Sequence, residues 1–230
     1  GRRRGGGKAR CGQWKQNDFA GEVWKVRSNF TRTAGLGYQP VTGPTEINHV
    51  TPTHYKCDCN NFAPQFGFAW LLPRGGIIRA GYGLQFGEIY PQTLQQLRWD
   101  PPGFLKVEVQ VPPLLNPLAN TYLGPGARHT QFDVPDNLQA PYSHEYSFTW
   151  DPLPSRAWKV QLSYIGSRTH KLFMMWFDNR AVPIPGVAQT TATITQRRPD
   201  PRYFELRQVR NASNAYFDAA RIDLKAPSWH

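Results

Sequence analysis

The strongest constraint on this chain is a repeated alternation: runs of about ten residues in which bulky apolar side chains take every second position and small or polar ones fill the gaps. In the run 142–150, Tyr142, His144, Tyr146, Phe148 and Trp150 alternate with Ser143, Glu145, Ser147 and Thr149. Successive side chains of a strand point to opposite faces, so this run has one aromatic wall and one polar wall. The run 77–86 repeats the pattern, with Ile78, Ala80, Tyr82, Leu84 and Phe86 against Arg79, Gly81, Gly83 and Gln85. In 62–70, Phe62, Pro64, Phe66, Phe68 and Trp70 oppose Ala63, Gln65, Gly67 and Ala69. A soluble antiparallel sheet alternates too. The aromatic load, set against a face of Gly, Ser, Thr, Gln and Arg, favours a barrel wall with lipid outside and water inside.

Composition agrees without deciding. With 230 residues, 40% hydrophobic and 13% aromatic, the chain is long enough for a large core or wall and is not a disordered composition. Its mean hydropathy is −0.57, and no stretch approaches the ~18–20 continuous apolar residues of a membrane helix. Membrane strands are invisible to that measure, because only every second side chain meets lipid. The net charge of +11 raises nucleic-acid binding. Its placement argues against it: Arg2, Arg3, Arg4, Lys8 and Arg10 crowd the amino terminus, Arg197, Arg198, Arg202, Arg207 and Arg210 one later stretch, and no nucleic-acid-binding motif accompanies them.

Turn chemistry sets the wiring. Strands are predicted at 18–26 and 30–39, joined through Arg27, Ser28 and Asn29, then at 62–70 and 77–86, joined where Pro73, Gly75 and Gly76 break the pattern. Further strands are expected at 142–150 and 157–167, and a last hairpin at 203–210 and 215–225. Between these hairpins lie long connections at 40–60, at 87–140 with its many prolines, and at about 168–202; Lys106 to Val111 alternates well enough for a short strand inside the second. Short and long connections thus alternate, as the short periplasmic turns and long extracellular loops of outer-membrane barrels do. A structureless loop of roughly fifty residues would count against a compact soluble domain. Residues 1–17 are read as a disordered basic segment; it lacks the apolar stretch of a signal peptide, and since a barrel must be exported, the expectation is a piece of a longer protein.

Candidate chemistry is sparse. His49, His54, Cys57 and Cys59 form H-x4-H-x2-C-x-C, a set of soft ligands that matches no structural zinc spacing. With Cys11 the cysteines number three, and oxidation within the loop is preferred to metal, although pairing across one residue is a strained geometry. No nucleophile elbow or metalloprotease spacing supports a catalytic set, so no catalytic, cofactor-binding or metal residue is assigned and no enzyme is expected. Gly81 and Gly83 lie inside a strand, not between strand and helix, which fits wall curvature better than phosphate binding. Asp178, Asp200 and Asp218 are expected to be solvated or lumenal. Trp24, Tyr38, Trp70, Tyr142, Trp150, Trp158 and Tyr164 read as girdle residues in two bands near strand ends, or as a glycan-stacking groove if clustered on one loop face. Arg32 falls on an apolar face, where it costs roughly 2–4 kcal/mol at the bilayer midplane and less near the interface.

The segment FAGEVWKVRSNFTRTAGLGYQP resembles a barrel hairpin of TonB-dependent outer-membrane receptors, and NNFAPQFGFAWLLPRGGIIRAGYGLQFGEIYP the next hairpin in the subgroup with a carboxypeptidase-regulatory-like domain before the plug. APYSHEYSFTWDPLPSRAWKVQLSYIGSRTHKL, RRPDPRYFELRQ and SNAYFDAARIDL are similar to later blocks in the same order. The resemblance implies an all-β, antiparallel transmembrane barrel segment in residues 18–230, about eight strands of a barrel of about twenty-two. It also implies an outer-membrane location, contact with membrane lipid, an unknown solute as ligand, and a plug domain and TonB system as partners of a full-length protein. No signal peptide, plug or TonB-contacting box is read in these residues, so energised uptake is expected to need more than this segment. The competing expectation is a secreted soluble all-β binding module for a glycan or protein.

Overall fold

The computed structural model describes residues 11–43, 45–47, 55–73, 75–89, 96–101, 104–109, 112–152 and 158–225. Ten strands are present among them: β1 (Cys11–Gly12), β2 (Asp18–Arg27), β3 (Phe30–Tyr38), β4 (Thr45–Glu46), β5 (Phe62–Leu71), β6 (Ile77–Phe86), β7 (His129–Asp133), β8 (Tyr142–Asp151), β9 (Lys159–Asp178) and β10 (Tyr203–Lys225). Eight make one sheet in the order β2-β3-β5-β6-β8-β9-β10-β7, and β1 pairs with β4. Every pairing from β2 to β10 is antiparallel; β7 alone joins β10 in parallel. The sheet does not close, since β2 ends it on one side and β10 with β7 on the other.

Three connections are short, β2–β3, β5–β6 and β8–β9, and all lie at one end of the wall. The β5–β6 turn needs its glycines: Gly75 and Gly76 sit at φ 87 and 95, where a side chain is strained, and Leu72 N–H donates to Gly76 O at 3.0 Å. The long connections β3–β5, β6–β8 and β9–β10 all leave from the other end. The wiring read from the sequence is the wiring of the fold.

The last hairpin is not. The stretch expected to turn between 210 and 215 runs straight through as part of β10, a single strand of 23 residues, and β9 continues past its expected end at 167 to Asp178. The pairing slips at Asn211 and Ser213, opposite Lys171, which takes a left-handed φ of 58. Asn211 holds that slip in place: its side-chain amide donates to Lys171 O at 2.7 Å and Gln139 O at 2.8 Å, and so anchors a bulge. The eighth strand is β7, inside the connection expected to be irregular; residues 104–109, covering most of the run expected to be a strand, are not one. Within the segment expected to be disordered, residues 11–15 pair with the β3–β5 connection, through β1–β4 and the Lys15–Val41 bridge.

Side chains opposite each other across an antiparallel pair share a face. The chain Tyr38–Phe62, Phe66–Tyr82, Ala80–Phe148 and Phe148–Tyr164 therefore puts the aromatic residues of five strands together. This face stays uncovered: Phe66 is 57% exposed, Phe148 44% and, on β10, Ile222 68%. The packed apolar core lies elsewhere, at the long-loop end. There Ile89, Val134, Leu138 and Val209 are buried against Phe173, Met175, Leu97, Val41 and Tyr55. The molecule is a wall without a core, topped by a canopy with one.

Candidate functional site

The face opposite the rings carries a recess. A trough of about 590 Å³ crosses it from Phe19 on β2 to Phe217 on β10, floored by Gly35, Gly67, Gly81 and Gly83 and by Gln65, Gln85, Glu145, Ser147 and Ser167. The glycines keep this surface low: a Cβ on Gly21 or Gly35 would lie 2.8 or 2.7 Å from the ring of Phe19, which lies over both. Hydroxyls pair across strands, Thr169 Oγ1 donating to Ser143 Oγ at 3.0 Å. At the short-turn rim Arg79 meets Asp151 at 2.7 Å, Gln161 donates to the same carboxylate at 2.9 Å, and Arg221 meets Asp223 at 2.7 Å. Arg79 lies on the polar side predicted for its strand, and Asp151, one residue beyond the predicted run 142–150, meets it there, so the two neutralise each other.

On the ring-bearing face two bands of aromatic residues mark the strand ends, with Phe66, Phe68, Tyr82, Tyr146 and Phe148 between them. Phe30, Trp70 and Trp150 follow one another across the short-turn end, through Ile78. Tyr38 with Phe62 at 4.9 Å, and Phe86 with Tyr142 at 6.0 Å, mark the long-loop end. Arg32 lies one pair inside the short-turn edge with its guanidinium 5.1 Å from the Trp24 ring, a position where a cation reaches the interface. Tyr164 departs from the banding and donates to Asp218. Asp218, expected to be solvated or lumenal, is on the aromatic face; Arg168 meets it at 2.8 Å and Tyr146 donates to it at 3.3 Å. The paired and hydrogen-bonded carboxylate is compatible with an apolar wall in a way a lone one is not. Gly166 fits beneath this cluster because the Tyr146 ring occupies the space a Cβ would take, 2.4 Å away.

The canopy is tied to the wall by polar groups the sequence does not single out. Asn61, 3% exposed, donates to Gln39 O at 3.2 Å and Asp58 O at 3.1 Å, and Asp58 accepts from Ala140 N–H at 2.7 Å. Cys57 and Cys59 are bonded to each other as a disulfide, so neither is left as a thiolate for a metal; His49 and His54 lie outside the described residues. Asp100, 6% exposed, accepts from Phe132 N–H at 2.8 Å and Gln131 Nε2 at 3.0 Å. Burial pushes its carboxyl up to about 7, the Phe132 hydrogen bond and nearby His129 opposing that rise and Asp133 adding to it.

Comparison with known proteins turns this geometry into a family. The outer membrane β-barrel domain family matches residues 47–230. The chain belongs to that family. The outer-membrane barrel accordingly resides in the cell outer membrane. The crystal structure of the siderophore receptor PirA from Pseudomonas aeruginosa is similar over 92% of this chain and 31% of that receptor, at 13% identity and a TM-score of 0.48. The chain thus spans under a third of that receptor's length. No curated protein matches it.

Proposed function

We propose that this chain is part of the wall of a TonB-dependent-receptor-like barrel, with the short turns on the periplasmic side and the long connections on the extracellular side, where they capture a solute for energised uptake. The observation that carries this reading is strand direction. β2 and β10 both run toward the short-turn end, so joining them directly would make a parallel seam. An all-antiparallel barrel closes only if an odd number of further strands stands between them, and each unpaired edge group left in lipid costs several kcal/mol. The trough is then one arc of a wider lumen, with room for a plug against its glycine floor.

A secreted soluble module is not retained, because it would bury the ring-bearing face under a second sheet, and among the described residues none covers it. The test is solute uptake by cells carrying the full-length protein, with and without the inner-membrane energy transducer. Uptake is expected to stop when the transducer is deleted; uptake that continues unchanged makes the barrel a passive pore and refutes the reading.

A further inference from the structure

The canopy buries arginine nitrogens that no hydrogen bond satisfies. The Arg198 side chain is 6% exposed; its Nη2 donates to Glu108 across a long 3.3 Å contact, and its Nε is buried with no hydrogen-bond partner. Arg128 donates Nε to Tyr203 O at 3.0 Å, rests its guanidinium 4.7 Å from the Phe204 ring, and likewise has a buried Nη2 without a partner. The backbone brings the two together: Thr130 N–H donates to Lys106 O at 2.8 Å, which sets the segment carrying Glu108, the partner of Arg198, beside Arg128 at the start of β7; after burial, the charge of Arg198 depresses the Arg128 guanidinium, with Glu108 and Asp200 acting the other way. Asp200 is already bonded by Arg202 at 2.7 Å. The adjoining Arg197, 8% exposed, bonds the uncharged Thr193 Oγ1 and Thr190 O.

A buried N–H left unmade costs about 1–3 kcal/mol, and more when it belongs to a charged group. Water would satisfy the hydrogen bonds but leave the charge. An anion satisfies both, and a carboxylate or phosphate matches the planar donors of a guanidinium. We propose that Arg128 and Arg198, where the start of β7 meets the β9–β10 connection, bind a carboxylate or phosphate group of the captured solute, displacing Glu108 from Arg198. This names the ligand class for the capture role proposed above and rests on that role for its biological meaning. Glu108 is then a built-in competitor: it holds Arg198 in the empty protein and yields to a better-placed anion.

The test is thermal denaturation of the purified full-length protein in detergent, titrated separately with inorganic phosphate and citrate against sodium chloride at matched ionic strength. A saturable rise in Tm is expected for at least one of the two anions and not for chloride. Its midpoint should move about 10- to 100-fold higher in Arg198→Gln and in Arg128→Gln, the range for losing a hydrogen bond to a charged group, and lower in Glu108→Gln. Heat-modifiable migration checks that each variant is assembled; if Arg198→Gln fails it, Arg128→Gln and Glu108→Gln decide. No saturable rise in the wild type, or midpoints that the substitutions leave unmoved, overturns the proposal. Because the titration needs no energised membrane, anion binding that survives alongside uptake independent of the transducer would refute the transport reading and leave this one standing.

Discussion

Ala80 and Gly81 are adjacent residues of β6 that the pairing sends to opposite faces, and replacing each with arginine separates a lipid-facing wall from a lumen-facing one. Ala80 stands between Phe68 and Phe148, whereas Gly81 stands between Gly67 and Ser147 in the trough. Ala80 is the fourth residue of a ten-residue strand. With a rise of ~3.3 Å per residue and a tilt of ~40°, it lies ~8 Å into an apolar band ~25 Å tall, about 5 Å from the midplane. An arginine at the midplane costs about 2–4 kcal/mol and at the interface about 0–1, so Ala80→Arg is expected to cost about 2–3 kcal/mol, a factor of roughly 30–150 in the folded ratio. Gly81→Arg meets only ordinary contacts, its first added atom 3.4 Å from Ser147 Oγ, and leads into the open trough. It is expected to cost under about 1 kcal/mol, since lumen-facing substitutions escape the lipid penalty. The assay is the urea midpoint for folding of the full-length protein into phosphatidylcholine vesicles, read by tryptophan fluorescence and checked by heat-modifiable migration. A Gly81→Arg cost equal to or larger than that of Ala80→Arg would show the two faces to be assigned backwards.

Three further outcomes follow from the canopy and the cluster around Asp218. Ile89, 1% exposed at the heart of the canopy, should cost about 2–4 kcal/mol as Ile89→Ala, seen as faster proteolysis of the long-loop end with the wall still heat-modifiable. Gly166→Ala should dislodge the Tyr146 ring, and a Gly166→Ala, Tyr146→Ala double substitution should recover part of the loss, with a coupling of about 0.5–3 kcal/mol in a double-mutant cycle; strict additivity would contradict the contact. Asp100, with its carboxyl raised to about 7 in the folded canopy against about 3.9 in an unfolded chain, favours the folded state in its protonated form. Its contribution is full below about pH 4 and lost as the pH rises through about 7, so protease resistance of the canopy should fall from pH ~5 to pH ~8 and Asp100→Asn should flatten that dependence.

The wall was legible because lipid and water impose a period of two on every strand that crosses between them. Runs such as 142–150 carry that period without interruption, and turn residues such as Gly75 and Gly76 mark the ends. The upper half of β9 was not legible: in Leu172, Phe173, Met174, Met175, Trp176 and Phe177 both faces are apolar, since one packs the canopy and the other carries Trp176 beside Arg210. The bulge at Lys171 also shifts the phase, so a reader following the alternation from below loses it there. β7 escaped because five residues in a proline-rich connection give too short a pattern, and its partner is distant in sequence. Arg198 reads in the sequence as one charge of the basic stretch from Arg197 to Arg210, and Arg128 is not singled out at all. Their burial is set by what folds over them, and nothing local to either residue announces it.

The long pairing of β9 with β10 also has a mechanical consequence. From the short-turn rim to the canopy the two strands share one ladder, from Lys159–Lys225 up to Asp178–Leu206. Tension on the canopy directed along these strands loads many hydrogen bonds at once, in shear, so they must yield together. The exception is the slip around Lys171 and Asn211, where the regular ladder is interrupted and the Asn211 side chain bridges the gap. That joint is where force would part the canopy from the wall.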